Sequence, residues 1–270
     1  MIARVRALFS RTLSVVLGWT ASHSLRAGFL VADVLAMIWV LTRRRPNRAD
    51  LRSLGIDDRD AVRRIWTSHA RSMMLGGWVR RDGREPIRRL VRENAVLREL
   101  RPPMILGTFH IGPTLGLGAL SERLQGESLV LRGTQFPLDR ASRANVDAIA
   151  GSDQQRAATF HRAVERLRQN GFVILALDPR EAQRIAVPFF GGTLQLARGP
   201  FAMARVARAP IVPVVARWEG EGIELVFGEA LVGSDETALA AEAGRWLEGY
   251  LRESPGELSY RVLELLSSRA

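Results

Sequence analysis

The chain has 270 residues, 47% of them hydrophobic and 25% charged, a composition typical of globular proteins that excludes a disordered tail, a collagen-like repeat and a coiled coil. All 39 basic residues are arginine, against 28 acidic residues, so the net charge is +11, and the absence of lysine excludes a Schiff-base lysine and a Walker A motif. The absence of cysteine excludes a disulfide framework, cysteine-ligated zinc, an iron–sulfur cluster and a thiol nucleophile.

The positive charge is concentrated in the first third of the chain. Residues 1–101 hold 21 arginines and 9 acidic residues, a net charge of +12. Residues 102–270 hold 18 arginines and 19 acidic residues, a net charge of −1. A basic segment that is also apolar favours an anionic lipid headgroup layer as its partner. Nucleic acid is the competing interpretation, and we rank it lower because the segment offers no series of arginine and aromatic residues on which bases would stack.

Two apolar stretches, residues 12–25 and 27–42, predict a pair of N-terminal helices. Each is shorter than the roughly 20 residues that a membrane-spanning helix needs, and Asp33 interrupts the second. Apolar side chains point in nearly every direction around that second helix, and three arginines follow it at 43–45. We therefore predict a membrane-associated segment over residues 1–50, inserted as a shallow hairpin with its arginines on the cytoplasmic side. A pair of core helices is the main alternative, and a cleaved signal peptide is less well supported.

The next segment has a helical pattern. Acidic residues at 57 and 58 precede an apolar stripe that ends at Met73, which predicts an amphipathic helix. A second helix is expected from Arg80 to Leu100, where Pro102 stops it.

From residue 104 onward, short apolar runs alternate with helical patterns. We predict buried strands at Met104–Phe109, Ser128–Leu131, Phe172–Leu177, Ile211–Trp218 and Ile223–Phe227. Ser152 and Gln155 form a capping box at the start of one intervening helix, and Gly112-Pro113 opens another. This alternation predicts an α/β sandwich with a largely parallel central sheet flanked by helices, in one domain over residues 51–270.

The four histidines supply the candidate general base. His110 stands at the carboxyl end of a predicted buried strand, where open α/β sheets place ligands and catalytic groups. His23, His69 and His161 lie on helical patterns and are most simply core or surface residues. Imidazole is the usual general base near neutral pH. The sequence contains no G-x-S-x-G elbow, no complete dinucleotide-binding fingerprint and no H-E-x-x-H motif, which leaves the enzymes that use them unsupported.

Five motifs follow one another in a characteristic order. They are a strand ending in His110, Arg132 followed by Phe136-Pro137-Leu138-Asp139, a strand ending in Asp178, Val187-Pro188-Phe189-Phe190-Gly191, and Ala209-Pro210-Ile211-Val212-Pro213. In this order they resemble the bacterial lipid A late acyltransferases, the lauroyl and myristoyl transferases of the lysophospholipid acyltransferase superfamily. The resemblance covers roughly residues 25–260.

The resemblance implies a lysophospholipid-acyltransferase-like fold and a location on the cytoplasmic face of the bacterial inner membrane. The implied reaction moves a fatty acyl group from an acyl carrier protein or coenzyme A thioester to a hydroxyl of a glycolipid or phospholipid. It needs no resident cofactor and no metal, and it does not involve nucleic acid.

The resemblance also implies roles for individual residues. His110 is the implied base, and Arg132 either donates to the developing oxyanion or clamps an acceptor phosphate. The residues implied to bind or shape substrate, besides Arg132, are Asp139, Pro188, Phe189, Phe190 and Gly191.

One position departs from the family pattern. The family carries Glu or Asp five residues after the histidine, and this chain has Leu115. Leucine cannot orient an imidazole or stabilise an imidazolium ion. Three interpretations stay open: another carboxylate takes the role, with Asp178 and Asp139 first in line; a backbone carbonyl orients His110 in a slow enzyme; or the chain is a catalytically impaired relative that binds lipid or acts as a scaffold.

Overall fold

Helices and strands alternate along the chain from residue 104 onward, as the sequence predicts. The computed structural model describes residues 2–42, 51–52, 54–56, 60–132, 146–148, 152–178 and 183–258. The α-helices are α1 (Ile2–His23), α2 (Leu25–Thr42), α3 (Ala61–Asp82), α4 (Glu85–Leu90), α5 (Ala95–Glu99), α6 (Leu120–Arg123), α7 (Asp153–Arg168), α8 (Arg198–Ala207) and α9 (Glu236–Glu253). The strands are β1 (Met104–Thr108), β2 (Ser128–Arg132), β3 (Val146–Ala148), β4 (Phe172–Ala176), β5 (Arg184–Phe189), β6 (Gly192–Ala197), β7 (Ile211–Glu219) and β8 (Gly222–Phe227).

Six of the strands form one sheet, in the order β3-β2-β4-β1-β7-β8. β1 lies between β4 and β7 and runs parallel to both, and β2 runs parallel to β3 and β4. β8 pairs with β7 in the antiparallel sense across a tight turn. The prediction of an α/β fold with a mostly parallel sheet flanked by helices is confirmed.

The sheet separates two hydrophobic cores. Neighbouring residues of a strand point to opposite faces. Ile105 of β1 therefore packs in the first core with α7, α8 and α9, whereas Leu106 packs in the second core with α1, α2 and α3. In β4, Val173 and Ile174 divide in the same way. Burial on both faces explains why these strands are continuous apolar runs.

The second core includes the N-terminal helices. Leu17 of α1 and both Phe29 and Trp39 of α2 are buried in the same cluster as Met74 and Trp78 of α3. Because these side chains complete the core, one face of each N-terminal helix belongs to the folded body. The alternative of core helices therefore holds for the inner faces of α1 and α2.

Two glycines allow α1 and α3 to approach closely. A Cβ atom on Gly18 would overlap the main chain of Gly77, and a Cβ atom on Gly77 would overlap the carbonyl group of Ser14. The hydroxyl of Ser14 donates to the carbonyl of Met73 at 2.7 Å, which adds a polar contact at the same crossing. The close approach of α1 and α3 at this crossing thus depends on main-chain contact rather than on interdigitating side chains.

The predicted single helix from Arg80 to Leu100 is wrong, because local signals divide it. α3 ends at Asp82, and the residue that caps it, Gly83, has a φ of 67°, in the left-handed region. Asn94 starts α5 as an N-cap that accepts from the N–H of Val96, so Glu85–Leu90 forms a separate short helix. The helix expected after Pro113 also differs, since residues 114–119 form a 3-10 helix ahead of α6.

Strand β3 and the hairpin of β5 and β6 were not predicted from the sequence. The hairpin turns at Phe190 and Gly191, whose φ angles of 46° and 69° are typical of a two-residue turn between antiparallel strands. The glycine pair at 191 and 192 was the available signal. The capping box is confirmed, because Ser152 and Gln155 exchange both of its hydrogen bonds.

Candidate active site

His110 and Asp178 meet at the carboxyl edge of the parallel sheet. Thr108 of β1 pairs with Ala176 of β4, so each of the two residues lies two positions beyond the last pair of neighbouring strands. The Nδ1 atom of His110 lies 2.7 Å from Oδ1 of Asp178. The main-chain N–H of His110 donates to the two carboxylate oxygens, at 3.2 and 3.1 Å. The structure therefore places beside the histidine one of the two carboxylates, Asp178 and Asp139, that were first in line for this role.

The pair leaves one imidazole nitrogen available for chemistry. A carboxylate accepts hydrogen bonds, so Nδ1 of His110 donates to Asp178 and Nε2 carries the free lone pair. The histidine side chain is 44% exposed and the aspartate side chain 15% exposed, so the base faces outward and the acid lies behind it. In this arrangement Nε2 can take a proton from a hydroxyl group while the carboxylate stabilises the resulting imidazolium.

The turn that follows His110 requires glycine. Gly112 has a φ of 59°, in the left-handed region. A Cβ atom here would overlap the carbonyl oxygen of Ala216 and would lie 2.6 Å from Oε2 of Glu257. The N–H of Gly112 also donates to the main-chain oxygen of Glu257 at 3.2 Å. The loop that carries the candidate base is thus packed directly against β7 and the segment after α9.

Glu257 is a buried carboxyl for which no role was predicted from the sequence. Its Oε2 accepts from the hydroxyl of Ser68 at 2.9 Å, and its Oε1 accepts from the main-chain N–H of Trp218 at 3.1 Å. Burial of the carboxyl, only partly offset by these hydrogen bonds, raises the pKa of Glu257 to about 7. The local sequence does not predict its burial, because an acidic residue directly after a helix is ordinarily solvent-exposed.

Leu115, at the position where the resembled family carries an acid, is half-buried in the second core. Its Cδ1 atom faces α3, where a Cβ atom on Gly76 would lie 3.8 Å from it. This position therefore serves packing between the 3-10 helix and α3. The carboxylate beside His110 comes from the neighbouring strand instead.

Two polar residues of the predicted site are placed only in part. Arg132 is the last residue of β2, in register with Ala148 of β3, and β2 adjoins β4 in the sheet. The main chain of Arg132 therefore ends at the same carboxyl edge as His110 and Asp178. Asp139 lies outside the described residues. The roles expected of Arg132 and Asp139 stay predictions.

The two phenylalanines of the V-P-F-F-G motif are packed in the first core. The rings of Phe189 and Phe190 are both buried, and they meet edge to face with their centroids 4.9 Å apart. The N–H of Phe190 donates to Oε2 of Glu248 on α9 at 2.8 Å, and the guanidinium of Arg252 lies 4.8 Å from the Phe190 ring centroid. Pro188 and Gly191 are exposed beside them. The structure gives both rings a packing role, and their predicted contact with substrate stays a prediction.

Large apolar side chains cover the outer face of the N-terminal helices. On α2 these are Leu30, Val31, Val34, Met37, Ile38 and Leu41, each at least 41% exposed, and on α1 they are Val15, Val16 and Trp19. The inner face of α2 instead includes the small residues Gly28, Ala32 and Ala36. Helices on the surface of a water-soluble protein show the opposite distribution, because their large apolar residues face the core. Within the described part of the chain, α2 is the helix long and apolar enough to cross a membrane.

The charged residue within α2 has a partner on the folded body. Asp33 accepts two hydrogen bonds from Arg71 of α3, from Nε and Nη2, each at 2.8 Å. Nη1 of Arg71 donates to the carbonyl of Gly220 in the β7–β8 turn at 2.8 Å, and the guanidinium lies 4.8 Å from the ring centroid of Phe29. This bidentate ion pair between Asp33 and Arg71 holds α2 against α3.

Comparison with known proteins adds no family to these observations. No family model matches the chain, and no curated protein matches it. Across the described ranges, no group of three or more His, Asp and Glu side chains is arranged to hold a metal ion. The resemblance to lipid A acyltransferases therefore stays a prediction.

Proposed function

We propose that the protein is a membrane-associated acyltransferase that moves a fatty acyl group from a thioester to a hydroxyl of a glycolipid or phospholipid. The observation that carries the proposal is the pair of His110 and Asp178 at the carboxyl edge of the sheet, 2.7 Å apart. The family resemblance supplies the reaction class, with acyl carrier protein or coenzyme A as the carrier. Lipid A-type biosynthesis is the pathway class that the same resemblance favours.

The proposed reaction uses His110 as a general base. Nε2 takes the proton of the acceptor hydroxyl while the hydroxyl oxygen attacks the thioester carbonyl. The new C–O bond forms, the C–S bond breaks, and the carrier leaves as a thiolate that takes up the proton from the imidazolium or from water. Asp178 holds the imidazole in the productive tautomer and stabilises its positive charge. Main-chain N–H groups or Arg132 would stabilise the oxyanion.

The competing proposal is a lipid-binding or scaffolding protein without transferase activity. Leu115 favours it, because the acid of the family's first motif is absent. The contact between His110 and Asp178 favours the enzyme, because it supplies the orienting carboxylate from another strand. The same fold accommodates both functions, so a measurement of acyl-transfer activity is needed to distinguish the enzyme from the non-catalytic protein.

The test is acyl transfer by the full-length protein in detergent or native membranes. Acyl carrier protein and coenzyme A thioesters are offered with total bacterial lipid extract, and new esters are read by mass spectrometry. We expect His110→Ala to lower the rate by about 10²-fold or more, the usual contribution of a general base. His161→Ala is the matched control, since this side chain is 74% exposed on α7, where its Nδ1 lies 3.8 Å from Oε2 of Glu165.

Two outcomes would contradict the proposal. Transfer by His110→Ala at the wild-type rate would exclude the general-base mechanism. A wild-type protein that binds lipid vesicles but transfers from neither thioester would support the non-catalytic alternative.

We further propose that the outer face of α1 and α2 inserts into the interfacial layer of the inner membrane, on its cytoplasmic side. The exposed aliphatic residues of α2 support insertion, and the net charge of +12 over residues 1–101 supports attraction to anionic headgroups. Asp33 and Arg71 hold α2 along the folded body, which favours a helix that lies in the interface over one that crosses the bilayer.

Vesicle flotation tests this membrane proposal. The wild type should float with anionic vesicles and stay bound in about 1 M salt, because salt screens charge but does not weaken apolar burial. The triple variant Leu30→Glu, Val34→Glu, Ile38→Glu changes one exposed stripe of α2 and should lose most of the binding. Val232→Glu is the matched control, because Val232 is 79% exposed and lies outside α1 and α2. Complete release of the wild type by salt alone would contradict insertion.

A further inference from the structure

One buried acid adjoins the candidate active site without a part in the proposed reaction. Glu257 is 8% exposed and lies in the short 3-10 helix Pro255–Glu257, directly after α9. Taking a carboxyl group out of water costs free energy unless hydrogen bonds compensate for the loss of hydration. A residue that only filled space here would be apolar, so the polar contacts of Glu257 need an explanation.

Those contacts converge on the turn after His110. The main-chain oxygen of Glu257 accepts from the N–H of Gly112 at 3.2 Å. The side-chain oxygen Oε2 lies so close to Gly112 that a Cβ atom on this glycine would be 2.6 Å from it. Gly112 is two residues from His110, and its left-handed φ is what turns the chain there. Glu257 therefore contacts the turn with both its main chain and its side chain.

The same carboxyl is fixed from two further elements. Ser68 of α3 donates to Oε2, and the main-chain N–H of Trp218 in β7 donates to Oε1. Each oxygen thus has its own donor, so the side chain is held in a single orientation. The carboxyl joins helix α3 and strand β7, and the turn at Gly112 packs against the same strand at Ala216.

We infer that Glu257 is a positioning residue: its hydrogen-bonded carboxyl holds the turn at Gly112 and thereby sets the place of His110 beside Asp178. The inference rests on the proposed function only for its kinetic consequence. The structural consequence, a displaced imidazole when the carboxyl is removed, is measurable in a protein of any activity. Misplacement of a catalytic group by about 1 Å is enough to lower a rate substantially.

The test compares three variants of the full-length protein. Glu257→Ala removes both acceptors. Glu257→Gln keeps the shape and is able to restore the contacts, because its amide oxygen accepts from the N–H of Trp218 while its NH2 group donates to the hydroxyl of Ser68. Ser68→Ala removes one donor with little change in volume, and it serves if Glu257→Ala does not fold. Glu236→Gln is the matched control, because Glu236 is a largely buried carboxylate that holds Arg198 and Arg205 instead.

The first readout is the NMR signal of the His110 ring in histidine-labelled protein, assigned by its loss in His110→Ala. We expect Glu257→Ala to shift or broaden this signal, Ser68→Ala to shift it less in the same direction, and Glu257→Gln to restore it. The signals of His23 on α1 and His161 on α7 should stay in place, and Glu236→Gln should leave all of them unchanged. An unchanged His110 signal in folded Glu257→Ala would overturn the inference, and so would a Gln variant as displaced as the Ala variant.

The second readout is kinetic. For Glu257→Ala we expect kcat to fall about 10-fold or more with the KM for both substrates nearly unchanged, and Glu257→Gln to recover most of the loss. A residue with a purely structural role would lower the melting temperature and leave kcat per folded molecule unchanged, which would also overturn the inference. Absence of activity in the wild type would count against the proposed function alone, since the NMR comparison stands without it.

Discussion

Asp178 accepts hydrogen bonds from two different groups of His110, the main-chain N–H and the imidazole Nδ1. One side chain therefore fixes both the course of the loop and the orientation of the ring. The two residues come from adjacent parallel strands, whose ends lie side by side at one edge of the sheet. This arrangement does not use position 115, where Leu115 packs against α3.

Replacing the acid of this pair tests whether it orients the base. In Asp178→Asn one carboxylate oxygen becomes an NH2 group. A single oxygen is then left to accept from both groups of His110, and the negative charge is lost. We expect the transfer rate to fall by about 10²-fold or more with a small change in melting temperature. Asp153→Asn is the control, since Asp153 is an almost fully exposed residue at the start of α7. Normal activity in Asp178→Asn together with loss in Asp139→Asn would assign the role to the other acid.

Restoring the family's acid at position 115 should not restore a family-like dyad. Leu115→Glu would place a carboxylate among the apolar side chains of the second core, which costs about 1–3 kcal/mol of folding free energy. We expect a lower melting temperature and no gain in transfer rate. Leu115→Met, which keeps the apolar character, should behave like the wild type. A faster enzyme in Leu115→Glu would show that the new carboxylate reaches the imidazole.

His110 was predicted because it follows a continuous apolar run, and Asp178 because it ends a strand in the motif order on which the family resemblance rests. Parallel strands bring such ends together. It could not identify Glu257, whose partners Ser68 and Trp218 are 189 and 39 residues away along the chain. Contacts at such separations leave no periodic signal. The same holds for Gly18 and Gly77, which are neighbours only because α1 crosses α3. The predicted helix from Arg80 to Leu100 failed for a local reason, since glycine and asparagine signals within it outweigh its apolar pattern.

The glycine contact makes α1 a structural part of the protein. We expect Gly77→Ala to lower the free energy of unfolding by about 3 kcal/mol, because its Cβ atom would overlap the carbonyl group of Ser14 and force the helices apart. Gly249→Ala in α9 is the matched control: it has no atom within 4 Å of the added Cβ, and it should stabilise the protein by about 0.5–1 kcal/mol. Thermal unfolding in mild detergent measures both changes. Equal melting temperatures for the two variants would contradict the close packing.

A related prediction concerns removal of the N-terminal helices. A chain that begins at residue 51 would expose Met74 and Trp78 of α3, which α1 and α2 bury. We expect this shortened protein to aggregate rather than to become a soluble enzyme, even though it lacks the membrane-facing surface. The triple substitution on the outer face of α2 should instead give a soluble and folded protein. Size-exclusion chromatography distinguishes the two proteins, and a monodisperse shortened protein would show that the second core is stable without α1 and α2.

The last prediction uses the pKa of Glu257. Burial raises this pKa from the ordinary glutamate value of 4.5 to about 7, although Ser68 and the N–H of Trp218 donate to the carboxyl. Arg71, Arg217 and Tyr250 are the charged or titratable groups that act on it from α3, β7 and α9. Between these two pH values the folded protein retains a proton that the unfolded chain has released. The free energy of unfolding therefore falls as the pH rises through this window, by about 3 kcal/mol in total from this group. Glutamine does not titrate, so the stability of the wild type relative to Glu257→Gln should decline from pH 4 to pH 8 by up to about that amount.

Glu122→Gln provides a control of opposite sign. Burial of the Glu122 carboxyl is outweighed by hydrogen bonds from Arg84 and Arg88, which lower its pKa. The wild type should therefore lose stability relative to this variant as the pH falls below the ordinary glutamate pKa. Chemical unfolding at a series of pH values measures both differences, and a constant difference between the wild type and Glu257→Gln would show that Glu257 does not hold a proton in the folded protein.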